Sequence, residues 1–211
     1  MEAVVQIYYR ENDSDYCFIG SGFFISHKII VTVGHNFDVP GKYFALLNGE
    51  FLELRILKKE KEFKGNTKID LALCAFVDRD IVNEIYFEPV SEAPKRFEEC
   101  KIIGFSVHGE VEKDVCYKPR DITQFIEHCE MHFEGANSGE YNIEFLALSL
   151  QNIKKGMSGG VIINTEGQYI GALIGPRLFN TPTGAIGNSN YFVIMSSSFK
   201  RILQFQKDSS S

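Results

Sequence analysis

Ser158 stands in the run Gly156-Met157-Ser158-Gly159-Gly160, a hydroxyl held between glycines. Glycine lets the backbone approach a substrate carbonyl closely and take a turn that points N–H groups into one hollow. That is the setting in which a serine serves as a nucleophile. With Gly near ~7% of residues and serine taken as about equally common, such a run arises by chance in roughly one chain of this length per hundred or fewer. The plain alternative is a glycine-rich turn between two strands. A base and an acid able to serve the hydroxyl decide between the two.

The run also satisfies the looser G-x-S-x-G elbow of α/β-hydrolases, in which the acid and then the histidine follow the serine. Here His27, His35, His108, His128 and His132 all precede Ser158, and the only later aspartate is Asp208. The elbow is excluded on inventory. The order His, Asp, Ser remains, and two contexts support it. Gly20 to Ser26 and Ile29 to Gly34 read as two apolar strands joined by a short polar turn, with His35 just past the second. Asp70 opens the apolar run Leu71 to Phe76. A carboxylate at the edge of a core holds a histidine N–H strongly, because low dielectric strengthens the pairing. The plain alternatives are a strand-end histidine satisfied by backbone and a turn or cap carboxylate. Asp78 and Asp80 are poorer acids further along.

Together "GSGFFIS…IIVTVGH", "IDLALCAF" and "GMSGG" resemble the histidine, aspartate and serine motifs of the chymotrypsin-like (trypsin-fold) serine peptidases. The resemblance is closest to the HtrA-type, prokaryotic and viral branch, and it covers nearly the whole chain. It implies an all-β fold of two packed antiparallel β-barrels with a C-terminal helix. Residues 1–211 would form one peptidase domain, with halves 1–92 and 93–211 and a site in the cleft between them. It implies His35 as general base, Asp70 as the orienting acid and Ser158 as nucleophile, with the Gly156 and Ser158 N–H groups as oxyanion hole. Asn152 falls where trypsins carry an aspartate, so an Arg or Lys substrate side chain is disfavoured. Gly171-Ala172-Leu173 is expected to pair with substrate backbone as an added strand. Digestive members have Asp where this chain has Met157, so activation by clipping is not expected; the oxyanion loop is preformed, or ordered by substrate or a partner protein. A PDZ domain, which HtrA proteins add, is not expected.

Composition is ordinary for a globular chain: 211 residues, 44% hydrophobic and 24% charged. A net charge of −6 argues against nucleic acid as a main partner. No apolar run approaches a membrane span of ~18 residues. Met1-Glu2-Ala3 lacks the layout of a signal peptide. Cys17, Cys74, Cys100, Cys116 and Cys129 are odd in number and lack C-x-x-C spacing, so buried thiols are expected rather than disulfides or a metal site. A cytoplasmic location follows as the expectation. No cofactor and no metal is called for.

Alternating runs (Leu52, Leu54, Ile56; Tyr141, Ile143, Phe145) read as strands with one face buried, as in an all-β barrel or sandwich. Asn164 to Gly167 is a hairpin turn signal. Ser196 to Ser198 can cap a C-terminal helix with Phe199, Ile202 and Leu203 on one face. Pro89 to Lys95 reads as the connection between halves, and Gly135 to Gly139 and Gly175 to Asn190 as loops. His128 and His132 suggest an i, i+4 metal pair, but Cys129, Met131 and Phe133 alternate with polar neighbours. On a strand the two histidines lie roughly 13 Å apart, too far to share an ion. His108 is a pocket candidate or a solvated turn residue. The leading function is a serine endopeptidase acting on proteins or peptides through an acyl-enzyme. A catalytically silent trypsin-fold module binding peptides or partner proteins is the second reading, and an esterase the third.

Overall fold

The computed structural model describes residues 2–12, 15–60, 63–64, 67–68, 70–91, 99–107, 122–132, 145–148, 154–177 and 190–195. The C-terminal helix, Asn152, His108, the loop at Gly135 to Gly139 and the boundary between residues 92 and 93 lie outside them.

Period-two patterning produces strands throughout, and they close into two barrels. The first is built from β1 (Val4–Arg10), β2 (Cys17–Phe24), β3 (Ile30–Thr32), β4 (Lys42–Leu47), β5 (Glu50–Glu60) and β8 (Leu71–Phe76), in the order β1-β2-β3-β8-β5-β4. The short pair β6 (Phe63–Lys64) and β7 (Thr67–Lys68) is set between β5 and β8 in the chain. The second barrel takes β9 (Glu99–Val107), β10 (Ile122–His132), β11 (Phe145–Leu148), β12 (Val161–Ile163), β13 (Tyr169–Arg177) and β14 (Asn190–Met195), in the order β10-β11-β14-β13-β12-β9. All pairings between these strands are antiparallel. Closure removes the sheet edges that would otherwise pair with other chains.

Local chemistry sets the turns. Between β4 and β5 the loop is Asn48-Gly49, both at positive φ (51° and 84°). That is the type I′ geometry whose twist matches a two-residue hairpin. The predicted turn at Asn164 is present: its Oδ1 accepts the N–H of Glu166 (3.1 Å) and of Gln168 (2.9 Å), and Gly167 takes φ 81°. Two predicted spans differ. Tyr141 to Glu144 lie outside the described residues, β11 beginning at Phe145. β13 runs on to Arg177 and β14 begins at Asn190, so the ends of the predicted 175–190 loop are strand, because ladder pairing with β14 continues past Gly175.

Every residue of β8 is buried, and the strand divides its side chains between two clusters. Ala72, Cys74 and Phe76 pack with Ile7, Phe24 and Ile30, all from the first half. Leu71 and Leu73 pack with Tyr8, Phe23 and Val31 in a cluster that also takes Phe105, Val161 and Ala172 from the second half. Both barrels therefore share one continuous core. A strap after β8 reinforces the join. Asn83 Nδ2 donates to the carbonyls of Glu2 (3.0 Å) and Ile85 (2.8 Å). Phe87 N–H donates to Phe24 O, and Tyr169 N–H to Glu88 O at 2.7 Å.

Cysteine usage departs in part from expectation. Cys74 and Cys100 are buried and form no disulfide, and burial pushes the Cys74 thiol up, which keeps it protonated and inert. Cys17, however, is disulfide-bonded. An odd count hides one pair as easily as none, and strand burial predicts packing rather than pairing. Such a bond persists in oxidising surroundings.

Leu73→Ala should cost about 2–5 kcal/mol in urea unfolding, as a fully buried leucine shared by both halves. Ile126→Ala, at a half-exposed site on β10, should stay within about 0.5 kcal/mol.

Candidate active site

β3 ends at Thr32, and the chain enters a 3-10 turn, Gly34–Phe37, that carries His35. Its exit is held from β5: Lys59 Nζ donates to Phe37 O (2.6 Å) and contacts Asp38 Oδ1 (2.9 Å). Asp70 immediately precedes β8, and the Thr32↔Ala72 pairing brings it beside the turn. Its carboxylate grips the histidine twice. Oδ1 accepts the His35 backbone N–H at 2.8 Å, and Oδ2 pairs with ring Nδ1 at 2.8 Å. Asp70 is 1% exposed, whereas the imidazole is about one-third exposed. An ionised carboxylate only accepts, so Nδ1 carries the proton and Nε2 keeps its lone pair, aimed away from the acid.

Ser158 lies in the loop from Lys154 to Gly160. Gly156, at φ 96°, is the third residue of a turn closed by Met157 N–H on Lys154 O (3.4 Å). A type II turn requires positive φ there. An added Cβ would also meet Phe18 Cε1 at 2.4 Å, so glycine is demanded twice. The carbonyl of Lys155 accepts Val107 N–H (3.2 Å) and that of Met157 accepts Gly160 N–H (2.8 Å). In a trans peptide the N–H opposes the C=O. Fixing those two carbonyls inward turns the N–H groups of Gly156 and Ser158 the other way, and among the described residues neither N–H has an acceptor. Met157 is fully buried, so the loop is anchored by an apolar side chain.

One residue that the sequence did not single out joins these parts. Ser21 on β2, fully buried, donates its N–H to Ser158 O (2.8 Å) and its Oγ to Gly156 O (3.0 Å), while Oγ accepts Phe105 N–H (2.8 Å). Its carbonyl accepts Thr32 Oγ1 (2.6 Å), and Thr32 Oγ1 accepts Asn36 Nδ2 (2.9 Å). An unbroken chain of hydrogen bonds thus runs from the neighbour of His35 to the carbonyl of Ser158. Gly159 (φ 85°) lies so close that a Cβ would meet Ser21 O at 2.0 Å. The one available signal was a serine between two glycines in an apolar strand.

Asp70 and His35 are thus joined directly, and Ser158 is linked to the neighbouring Asn36 only through Thr32 and Ser21. Ser158 Oγ donates to Ile174 O at 3.1 Å, and among the described residues no hydrogen bond joins it to His35. The strand expected to add substrate is differently disposed. Ala172 is paired with Val161 on one side and Ile194 on the other. Leu173 donates its N–H to Gly160 O (2.9 Å) and accepts Gly159 N–H (2.7 Å). Gly171 is likewise flanked, by Ile162 and Met195. Residues 171–173 thus have neighbours on both sides and no edge to offer, because the barrel closes there. His128 and His132 lie on β10, as the strand reading required.

No family model and no curated protein matches the chain. Solved structures do. The serine endoprotease from Yersinia pestis aligns with TM-score 0.66 at 20% identity over 96% of this chain, which spans 61% of that one. The Rv3671c protease from M. tuberculosis in its active form aligns with TM-score 0.64 at 15% identity, over 92% of this chain and 76% of that one. The MamO protease domain from Magnetospirillum magneticum gives TM-score 0.61 at 15% identity, over 94% of each chain. Two closed antiparallel barrels and these alignments give the chain the fold of the trypsin-like serine proteases.

Proposed function

We propose that this chain is a serine endopeptidase that cleaves proteins or peptides through an acyl-enzyme. The observation that carries the reading is the double grip of buried Asp70 on His35 beside a loop whose two N–H groups are turned outward at Ser158. The hydroxyl leaves Ile174 O, turns to His35 Nε2 and gives up its proton as Oγ attacks the scissile carbonyl. His35 then donates that proton to the departing amine, and a water repeats the sequence to release the acid. Asp70 holds the tautomer and stabilises the imidazolium. The N–H groups of Gly156 and Ser158 receive the developing oxyanion, which costs no reorganisation when they are already oriented. Hydrogen bonds in resting sites often tighten only with substrate bound, which accommodates the unmade Ser158–His35 contact.

That same contact favours a second reading, a silent module that binds peptides or partner proteins. A fluorophosphonate probe separates the two. Labelling of the parent that is lost in Ser158→Ala supports the peptidase. An unlabelled parent beside a labelled control peptidase supports the silent module. Turnover of activated esters with no cleavage of any protein library would instead mark an esterase.

Ser158→Ala and His35→Ala should each lower kcat by about 10⁴- to 10⁶-fold on a cleaved peptide. Asp70→Asn should lower it about 10⁴-fold by presenting the wrong tautomer. Gly156→Ala should reduce kcat by about 10²- to 10³-fold, the scale of one lost oxyanion donor. Ser21→Ala and Thr32→Val each remove one buried hydroxyl, and each should cost about 1–3 kcal/mol in denaturant unfolding. Only Ser21→Ala, which frees Gly156 O, should also cut kcat, by about 10- to 100-fold, with KM little changed.

A further inference from the structure

The first barrel carries a hollow of its own at the far end of β8. Its lining is apolar at the bottom: Ala75 and Phe76, the last two residues of β8, with Ile29, Leu57 and Ile81 of the strap. It encloses about 200 Å³. Asp70 heads the same strand, so the hollow lies roughly 17 Å along β8 from the acid that holds His35. Its walls are fixed by hydrogen bonds. Lys28 Nζ donates to Arg79 O (2.8 Å), and Asp78 Oδ1 accepts the N–H of Asp80 (3.0 Å). The turn before β3 is tied to the strap twice more, by Asn83 N–H on His27 O (2.8 Å) and by His27 Nδ1 on Asn83 O (3.0 Å).

The rim is cationic on an acidic chain. Lys28, Arg55 and Arg79 line the hollow against one carboxylate, Asp78, while the whole protein carries a net charge of −6. Arg55 and Arg79 are exposed, and among the described residues neither guanidinium has an ion-pair partner. Ile56, Val77 and Val82, large apolar residues left 40%, 50% and 47% exposed, are chain neighbours of the lining residues. Size limits what can enter. Pockets that hold whole small molecules run to about 300–1,000 Å³, so this one suits a single large side chain. The cations then select what flanks that side chain, since a guanidinium fork matches a carboxylate with two parallel bonds.

We propose that the hollow is a docking site for an acidic segment of a partner protein, with one large apolar side chain seated on Ala75, Leu57 and Ile81 and flanking carboxylates paired with Arg55 and Arg79. An apolar anchor in a pocket, ringed by polar contacts that exclude water, is where interfaces concentrate their binding energy. Neither His35, Asp70 nor Ser158 lines the hollow, so a partner held there leaves them uncovered. The inference stands whether the chain cleaves peptides or only binds them.

The probe is acetyl-Asp-Glu-Phe-Glu-Asp-amide, titrated against the full chain carrying Ser158→Ala so that cleavage cannot consume it. Saturable binding is expected, with the methyl signals of Ile29, Leu57 and Ile81 shifting in NMR spectra. Exchanging the probe's central Phe for Ser should weaken binding about 10-fold or more, the worth of burying one large apolar side chain. Exchanging its four acids for their amides should weaken it by a similar factor. Arg55→Glu and Arg79→Glu should each do the same, with unfolding midpoints close to that of Ser158→Ala alone, because both positions are exposed. Equal affinity for the Phe and Ser probes, indifference to both charge reversals, unmoved methyl signals, or no saturation up to about 1 mM overturns the proposal. Two other occupants would overturn it as well: a second copy, shown by a dimer that Arg55→Glu or Arg79→Glu dissociates, or a lipid chain, shown by decanoate shifting those methyl signals where the peptide does not.

Discussion

Ser21 ties the two barrels together beside Ser158. Its backbone N–H and its hydroxyl hold the carbonyls of Ser158 and Gly156, and Thr32 holds its own carbonyl. A carbonyl held on one side of a trans peptide aims the N–H on the other, so fixing the interior face of the loop shapes its exterior face. The loop from Lys154 to Gly160 has little freedom left: Val107 holds Lys155, Gly160 holds Met157, and the Met157 side chain is sealed in the core. Preorganisation of this kind is distributed over several modest bonds, which together define a geometry that no single one would hold.

Asp70 is the costly element. A carboxylate taken out of water loses several kcal/mol of hydration unless its oxygens find donors. Here each oxygen faces a different N–H of His35, one from the backbone and one from the ring. The arrangement satisfies the carboxylate and orients the imidazole in one step. It also fixes the histidine turn from below, while about a third of the imidazole surface stays exposed. Placing the acid at the head of β8 and the histidine just beyond β3 makes this possible, because those strands are neighbours in the first barrel.

The strand pattern, the turns at Asn164 and the order His35, Asp70, Ser158 could be read directly. Each depends on local properties: alternation of apolar residues, the side-chain chemistry of a turn, and residue inventory. Gly156 and Gly159 were legible for the same reason, since positive φ is a demand the residue type itself announces. Ser21 was not. A serine in an apolar strand gives no sign that its partners are Gly156, Phe105 and Ser158, from the other half of the chain. The resemblance places Gly171 to Leu173 against substrate as an added strand, yet each of them already has neighbours on both sides. Alternation reveals which face is buried and says nothing of which edge is already paired.

By itself, then, the amino-acid order determined the kinds of groups available, the β architecture and the glycines its tight places need. The folded chain alone decided that the Ser158 hydroxyl rests on Ile174, that the cysteines include a bonded one, and that Gly171 to Leu173 have neighbours on both sides. Local periodicity is a property of a few neighbouring residues, whereas hydrogen-bond partners across a barrel junction are settled by closure of the sheets. Closure fixes which backbone groups are paired, whatever the local pattern of side chains.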